Sequence, residues 1–281
     1  MVDLLDHALA VAASGRADRH RDPVVLGDAG ERGGHPAAAG IADRGHPVET
    51  PYPGEPTQAA RHAVEAGDQV LEALGDGATI DPSHLWIGGH SMGAGTTYHV
   101  LSEVLGRGWG SQSLVVDLEA PWIHATQSEL RGNMSRLSDH ALIQVIEYES
   151  DNVVAKCIGR WQHARMLARD GAAPLPAEQV QFLQVPSDYR GFPRLIASHY
   201  LPATIIRESL ADHSYYPRLE AQADFIASSA SGDAAATQTA QAAFMESTDL
   251  GEWSNGDTVY PMVFVAAPLE LEDNIDACPV T

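Results

Sequence analysis

The sequence contains little positive charge. It has 17 lysine and arginine residues against 38 aspartates and glutamates, a net charge of −21, and Lys156 is its only lysine. Such a surface repels phosphate backbones and anionic headgroups, which argues against nucleic-acid binding and against membrane binding. The acidity also suggests a salt-rich habitat, a hypothesis that falling stability on addition of salt would refute.

Long apolar runs are also missing, since no stretch reaches the ~18 residues that suggest a membrane-spanning helix. We therefore expect no membrane span. Residues 1–6 carry acids where an export signal needs positive charge, so no signal peptide is visible. This predicts a cytoplasmic protein, or a secreted one from which the signal has been removed.

Cysteine is scarce, with Cys157 and Cys278 alone. Two cysteines allow one disulfide and are equally consistent with two buried thiols. Neither lies in a CxxC or a Cys/His spacing, so we expect no zinc site, no other metal and no cofactor.

Strand and helix patterns alternate along the chain, which is typical of a parallel sheet covered by helices on both faces. The first 20 residues suggest a short helix ending near Gly15, and a glycine-rich loop covers 27–34. Strands are predicted at 22–26, 46–53, 85–87, 114–118, 141–148 and 180–185, and helices at 37–44, 57–74, 93–105 and 153–169. Towards the C-terminus, helices are predicted at 203–210, 219–230 and 233–245, a turn at 253–256 and a final edge strand at 259–265.

The 281 residues fit one large α/β domain or two small ones. Neither an internal repeat nor a long linker divides the sequence. We predict a single domain over 1–281, with an N-terminal extension over 1–21 and C-terminal helices and an edge strand over 203–281.

The stretch 85–97, Leu-Trp-Ile-Gly-Gly-His-Ser-Met-Gly-Ala-Gly-Thr-Thr, carries a chemical motif. An apolar run leads into Gly-x-Ser-x-Gly, and small residues follow where a helix begins. Ser91 is the candidate nucleophile, because a tight turn exposes its hydroxyl to a base and to a carbonyl substrate. The backbone N–H of Met92 points to where an oxyanion would form. The motif alone also arises by chance among 25 glycines, so its strand-to-helix context favours function.

The order of strand, Gly-x-Ser-x-Gly, helix, strand-end acid and loop histidine over 22–200 resembles the α/β-hydrolase superfamily. Gly-His-Ser-Met-Gly is similar to the elbows of lipases, cutinases and polyesterases, whereas dienelactone hydrolases usually carry cysteine where Ser91 stands. The resemblance implies a mostly parallel sheet with helices on both faces and a Ser-His-acid triad. Only about 20 residues separate Leu118 from Ala141, too few for a large cap domain.

In that family the acid follows a strand downstream of the elbow. Asp151 occupies this position after the run 142–146, where its carboxylate would accept the imidazole Nδ1–H. Glu149, still close to strand register, and Asp188, near the histidine loop, are the alternatives. Asp151 also fits a solvated helix cap before Val153.

The family order places the base after the acid, which leaves His163, His199 and His213. His163 lies on the predicted helix with no strand between it and the acid. His199 follows the strand 180–185, in a loop that can carry its Nε2 to Ser91. We predict His199, with His213 as the alternative, although any single histidine can be an exposed residue without a role.

The second oxyanion donor comes, in the family, from the loop after the first strand here, often within a His-Gly motif. This sequence has Gly-Asp-Ala-Gly-Glu there instead. The resemblance implies that the backbone N–H of Glu31, or with a one-residue shift that of Gly30, is the donor. An open cleft lined by Trp122 and Tyr200, with help from Trp161, is also expected, although each fits plain packing.

We therefore expect a serine hydrolase that cleaves a small-molecule or polymeric carboxylic ester through an acyl-enzyme. The same triad would serve a thioesterase, an acyltransferase or an amidase. A catalytically inert binding protein is a third hypothesis, motivated by the missing His-Gly and by the carboxylates of Asp28 and Glu31.

Overall fold

In the part of the chain that the structure describes, six strands form one sheet, and described strands that follow one another in the chain lie side by side. The structure is a computed structural model that describes residues 10–13, 81–122, 133–202 and 209–265. β2 to β5 are parallel, and β1 and β6 pair antiparallel at the two edges. The strands are β1 Ala10–Ala13, β2 His84–His90, β3 Ser113–Glu119, β4 Ala141–Tyr148, β5 Val180–Val185 and β6 Val263–Phe264.

Helices pack on both faces of this sheet, as the predicted α/β class requires. Leu85 and Ile87 of β2 are buried with the first two helices, whereas Trp86 between them is buried with the last two. Successive strand residues point to opposite faces, so strands covered on both sides appear as continuous apolar runs. The helices are α1 Met92–Gly106, α2 Lys156–Ala168, α3 Ser209–Ser214, α4 Tyr216–Ser231 and α5 Ala234–Met245. Single 3₁₀ turns cover Met134–Arg136 and Arg169–Gly171.

The strands predicted at 85–87, 114–118, 141–148 and 180–185 are confirmed as β2 to β5, and the helices at 93–105, 219–230 and 233–245 as α1, α4 and α5. The predicted helix 153–169 starts later, at Lys156, because the side chain of Asp151 accepts the N–H groups of Val153 and Val154 and forms a turn first. The last strand is shorter than predicted but lies at the sheet edge. Of the helix predicted at 203–210, residues 203–208 lie outside the described residues.

The N-terminal helix prediction is wrong where the structure describes it. Residues 10–13 form β1, which pairs with Leu85–Gly88 of β2. The sequence Ala-Val-Ala-Ala has no polar face, so its pattern does not separate helix from strand. Pairing with the backbone hydrogen-bonding groups of β2 makes this segment a strand. The other elements predicted between residues 14 and 80, the glycine-rich loop included, lie outside the described residues.

Cys157, at the start of α2, is disulfide-bonded, so it does not carry a free thiol. Cys278 lies outside the described residues. In the described ranges, no helix combines the length and the apolar character that crossing a membrane requires.

Candidate active site

Ser91 occupies a sharp turn between β2 and α1. Its φ of 55° and ψ of −121° lie in a region that residues with a side chain rarely adopt. The Ser91 N–H donates to the carbonyl oxygen of Glu119 over 2.9 Å, and its own carbonyl accepts the N–H groups of Trp122 and Gly95. Backbone contacts from β3, the following loop and α1 therefore hold the strained turn.

Gly89 is required by the close approach of the helix that follows. A Cβ at this position would lie 2.6 Å from the carbonyl carbon of Gly93 and 2.8 Å from the backbone nitrogen of Ala94. Any side chain would collide with the first turn of α1. The first glycine of Gly-x-Ser-x-Gly thus has a steric reason in this chain.

The imidazole of His199 lies between Ser91 and Asp151. Its Nε2 is 2.9 Å from Ser91 Oγ and its Nδ1 is 2.8 Å from Asp151 Oδ2. A carboxylate only accepts, so Nδ1 carries the proton and the Nε2 lone pair faces the serine hydroxyl. The structure thus brings together the three predicted residues, which come from the β2–α1 turn and from the loops after β4 and β5.

Asp151 binds the imidazole with one oxygen and the turn that precedes α2 with the other. Oδ1 accepts the N–H of Val153 over 2.8 Å and that of Val154 over 3.1 Å. Burial raises the pKa of this carboxyl, but hydrogen bonds from His199 and the two backbone amides outweigh it and leave the pKa below its usual value. Asp151 therefore both holds the turn before α2 and binds the imidazole, and it remains anionic at neutral pH.

The alternative acids are bound elsewhere. Glu149 Oε2 accepts the N–H of Ser187 over 2.7 Å. Asp188 is fully buried, and it accepts hydrogen bonds from the guanidinium of Arg190 and from the indole of Trp253. The Arg190 guanidinium holds the pKa of Asp188 well below its usual range. Both carboxylates thus have structural partners.

The alternative bases also lie elsewhere. His163 donates through Nε2 to the carbonyl oxygen of Val180 over 2.8 Å, and burial lowers its pKa. His213 lies on α3 close to Gly251. A Cβ added at Gly251 would lie 3.1 Å from the Nδ1 atom of His213. His199 is the histidine that contacts Ser91 among the three weighed.

The loops that carry the acid and the base are bound to each other. The N–H of Ser150 donates to the carbonyl oxygen of Ala197, and the N–H of Ala197 donates to Ser187 Oγ, each over 2.9 Å. The Oγ atoms of Ser150 and Ser187 are 2.8 Å apart. These contacts fix Asp151 relative to His199. Sequence reasoning missed both serines, because loop serines follow no periodic pattern.

The first predicted oxyanion donor is well placed. Met92 is the first residue of α1, directly after Ser91. The first N–H groups of a helix have no carbonyl partner within it and so point outward as donors. The predicted second donors, Glu31 and Gly30, lie outside the described residues.

Tyr200, one of the three predicted aromatic residues, places its ring beside the imidazole of His199. Its ring is edge-on to that of His199, with centroids 5.4 Å apart, and it is 47% exposed. The ring of Trp122 is partly buried and packs against Ile158 of α2. Trp161 packs against α1, so its predicted help in lining a cleft at the serine is not seen.

A small pocket, with a cavity volume of about 10 Å³, opens beside Asp151. It contains Glu147, whose side chain is only 5% exposed and whose carboxylate oxygens have no hydrogen-bond partner among the described residues. Burial raises the pKa of Glu147 to about 7, against the opposing charges of Arg160 and Lys156. This raised pKa was not predicted, because Glu147 lies in an apolar strand, where the sequence pattern carries no signal for it. The lining residues are Ala120, Pro121, Glu147, Tyr148, Asp151, Val154, Ala155, Lys156 and Gly159.

Comparison with known proteins identifies no relative: no protein-family model, no curated protein and no solved structure matches the chain. Within the described residues, no group of three or more histidine, cysteine, aspartate or glutamate side chains is arranged to hold a metal ion. The elbow and the three side chains that meet there are therefore the features from which a function can be inferred.

Proposed function

We propose that this protein is a serine hydrolase of the α/β-hydrolase type that cleaves carboxylic esters through an acyl-enzyme. One observation carries the proposal: His199 links Ser91 Oγ, at 2.9 Å, to Asp151 Oδ2, at 2.8 Å. A hydroxyl, an imidazole and a carboxylate in this order form the arrangement that activates a serine. The strained turn and the chain order of the three residues support the family assignment.

In the proposed acylation, His199 Nε2 takes the proton of Ser91 as Oγ attacks the ester carbonyl carbon. The Met92 N–H donates to the oxyanion of the tetrahedral intermediate. The imidazolium then gives its proton to the departing alcohol oxygen as the carbon–oxygen bond breaks, which leaves an acyl group on Ser91. Water repeats the sequence with His199 as base and releases the carboxylic acid.

Asp151 supports both steps by its charge. The pKa of its carboxyl is lowered, so it is ionised at neutral pH. The anion keeps the proton on Nδ1, holds the ring in place and stabilises the imidazolium that forms in each half-reaction.

Two measurements test the proposal. A fluorophosphonate probe should modify the wild-type protein at Ser91, and the protein should hydrolyse a p-nitrophenyl ester. Ser91→Ala should abolish labelling and lower kcat by at least about 10⁴-fold. Met92→Ala, which keeps the backbone N–H, and Ser231→Ala, at the end of α4, should retain activity.

Failure of the wild-type protein to react with the probe would overturn the proposal and favour an inert binding protein. A labelled protein that turns over thioesters or amides faster than esters would retain the triad and change the substrate class. The acyl-enzyme is common to these reactions, so a substrate profile separates them.

A further inference from the structure

The histidine directly before the nucleophile contacts the proposed base. The Nε2 atom of His90 is 2.7 Å from the backbone carbonyl oxygen of His199, and the two imidazole rings lie 4.6 Å apart between centroids. A carbonyl oxygen only accepts, so Nε2 of His90 carries the proton and donates it. His90 is 8% exposed, so this hydrogen bond is buried.

The strand directs His90 towards this contact. His90 is the last residue of β2 and pairs with Glu119 of β3. Side chains alternate along a strand, so His90 shares the face of Trp86, which is turned away from α1. Ser91 then enters the turn. Two consecutive residues thereby contact His199 at different points, Ser91 at the ring and His90 at the backbone.

We propose that His90 is a positioning residue for His199, a proposal that rests on the function proposed above. Of the hydrogen bonds between the acid and base loops, the one nearest His199 in sequence is that from the Ser150 N–H to Ala197, two residues earlier. His90 acts on the backbone of residue 199 itself, from which the reactive ring projects. Asp151 binds Nδ1 of the His199 ring, and His90 binds the backbone carbonyl of His199. The two contacts together direct Nε2 towards Ser91.

The expected effect is on rate and not on substrate binding. Proton transfer requires the donor and acceptor at hydrogen-bond distance, and a misplacement of about 1 Å costs on the order of 100-fold in rate. Removal of the His90 donor frees the carbonyl of His199 and widens the range of ring positions. We expect kcat to fall while KM stays nearly constant.

Three variants form the experiment. His90→Leu removes the donor at similar volume, and His90→Gln places an amide N–H near the position of the imidazole Nε2. His163→Leu is the matched control, because His163 is also buried and also donates through Nε2 to a backbone carbonyl, that of Val180, over 2.8 Å. For each, the rate of fluorophosphonate labelling, kcat and KM for a p-nitrophenyl ester, and the melting temperature are measured.

We expect His90→Leu to lower kcat and the labelling rate about 10- to 100-fold with KM changed by less than about twofold. His90→Gln should recover most of the rate, and His163→Leu should lose stability without losing rate per labelled site. The proposal would be overturned if folded His90→Leu had wild-type rates, or if folded His90→Gln were as slow as His90→Leu. If His90→Leu does not fold, His90→Gln alone is compared with the wild type, and a rate about 10- to 100-fold below wild type would overturn the proposal. An unlabelled wild-type protein would instead reject the serine hydrolase itself.

Discussion

At the scale of single residues, the carboxylate of Asp151 has two roles, which one substitution can separate. It accepts backbone N–H groups, and it supplies negative charge beside the imidazole. Asn keeps an oxygen for the N–H groups of Val153 and Val154 but cannot supply the negative charge opposite the imidazole. We expect Asp151→Asn to lower kcat about 10⁴-fold while the protein stays folded. Steady-state kinetics and the unfolding midpoint measure the two effects.

The matched control for this substitution is Glu149→Gln. Its side-chain oxygen can still accept the N–H of Ser187, and it has no place in the triad. Activity close to wild type is expected. An Asp151→Asn variant as active as Glu149→Gln would argue against the acid assignment.

Glu147 makes stability depend on pH, because its folded pKa, about 7, lies above the ordinary glutamate value of 4.5. Below pH 4.5 the group is protonated in both states and its burial costs nothing extra. As pH rises towards 7 the unfolded chain ionises first, so the folded state loses stability, and the loss levels off above the folded pKa. Ionised Glu147 therefore destabilises the protein at pH 8 by roughly 2 to 3 kcal/mol.

We expect Glu147→Gln to raise the urea midpoint at pH 8 and to leave it nearly unchanged at pH 4.5. Urea unfolding at several pH values measures the difference. The sequence offers Glu178→Gln, at an exposed position, as the control that should show no such trend. A wild-type and variant difference that does not change with pH would contradict the assigned burial cost.

At the scale of elements, the loop after β5 is held by one buried carboxylate. Asp188 Oδ2 accepts the indole N–H of Trp253 over 3.0 Å and the backbone N–H of Tyr260 over 3.2 Å, and Arg190 donates to both carboxylate oxygens. This anchor joins the loop that carries His199 to the segment before β6.

We expect Asp188→Ala to destabilise the protein by about 1 to 3 kcal/mol, because it leaves part-buried donors without a partner and a guanidinium without its counter-ion. Urea unfolding measures the loss. Arg190→Ala should cost less, since that side chain is 43% exposed and Asp188 keeps its other donors. An Asp188→Ala variant no less stable than Arg190→Ala would show that the carboxylate does not anchor the loop.

The elements that sequence reasoning predicted are those whose apolar pattern burial dictates. β3 and β4 are buried along their whole length and β5 along most of it, so their apolar residues mark these strands with nearly correct ends. Residues 10–13 were assigned to the wrong class because pairing with a neighbouring strand, which no local pattern encodes, decides between helix and strand. The start of α2 was missed for a similar reason, since the side chain of Asp151 delays the helix.

For the whole molecule, the chain order of an elbow, an acid and a histidine was enough to predict which three side chains meet. The contacts that position them were not predictable, because the His90 hydrogen bond and the Ser150–Ser187 contact join segments far apart in sequence. The burial of Glu147 without a hydrogen-bond partner in the described part of the chain was equally unpredictable, because it lies in an apolar strand. Sequence pattern thus predicted the identity of the candidate site, whereas its supporting contacts depend on tertiary geometry.

The overall charge leads to a prediction for the molecule as a unit. With 38 acidic and 17 basic residues, like charges repel across a folded surface more than along an expanded chain. Added salt screens this repulsion, since the screening length falls from about 30 Å at 0.01 M to about 10 Å at 0.1 M. We expect the urea midpoint at pH 7.5 to rise over that range of NaCl. An uncharged osmolyte at equal osmolality serves as the control, and a midpoint that falls with NaCl would mean that attractive ion pairs outweigh the net repulsion.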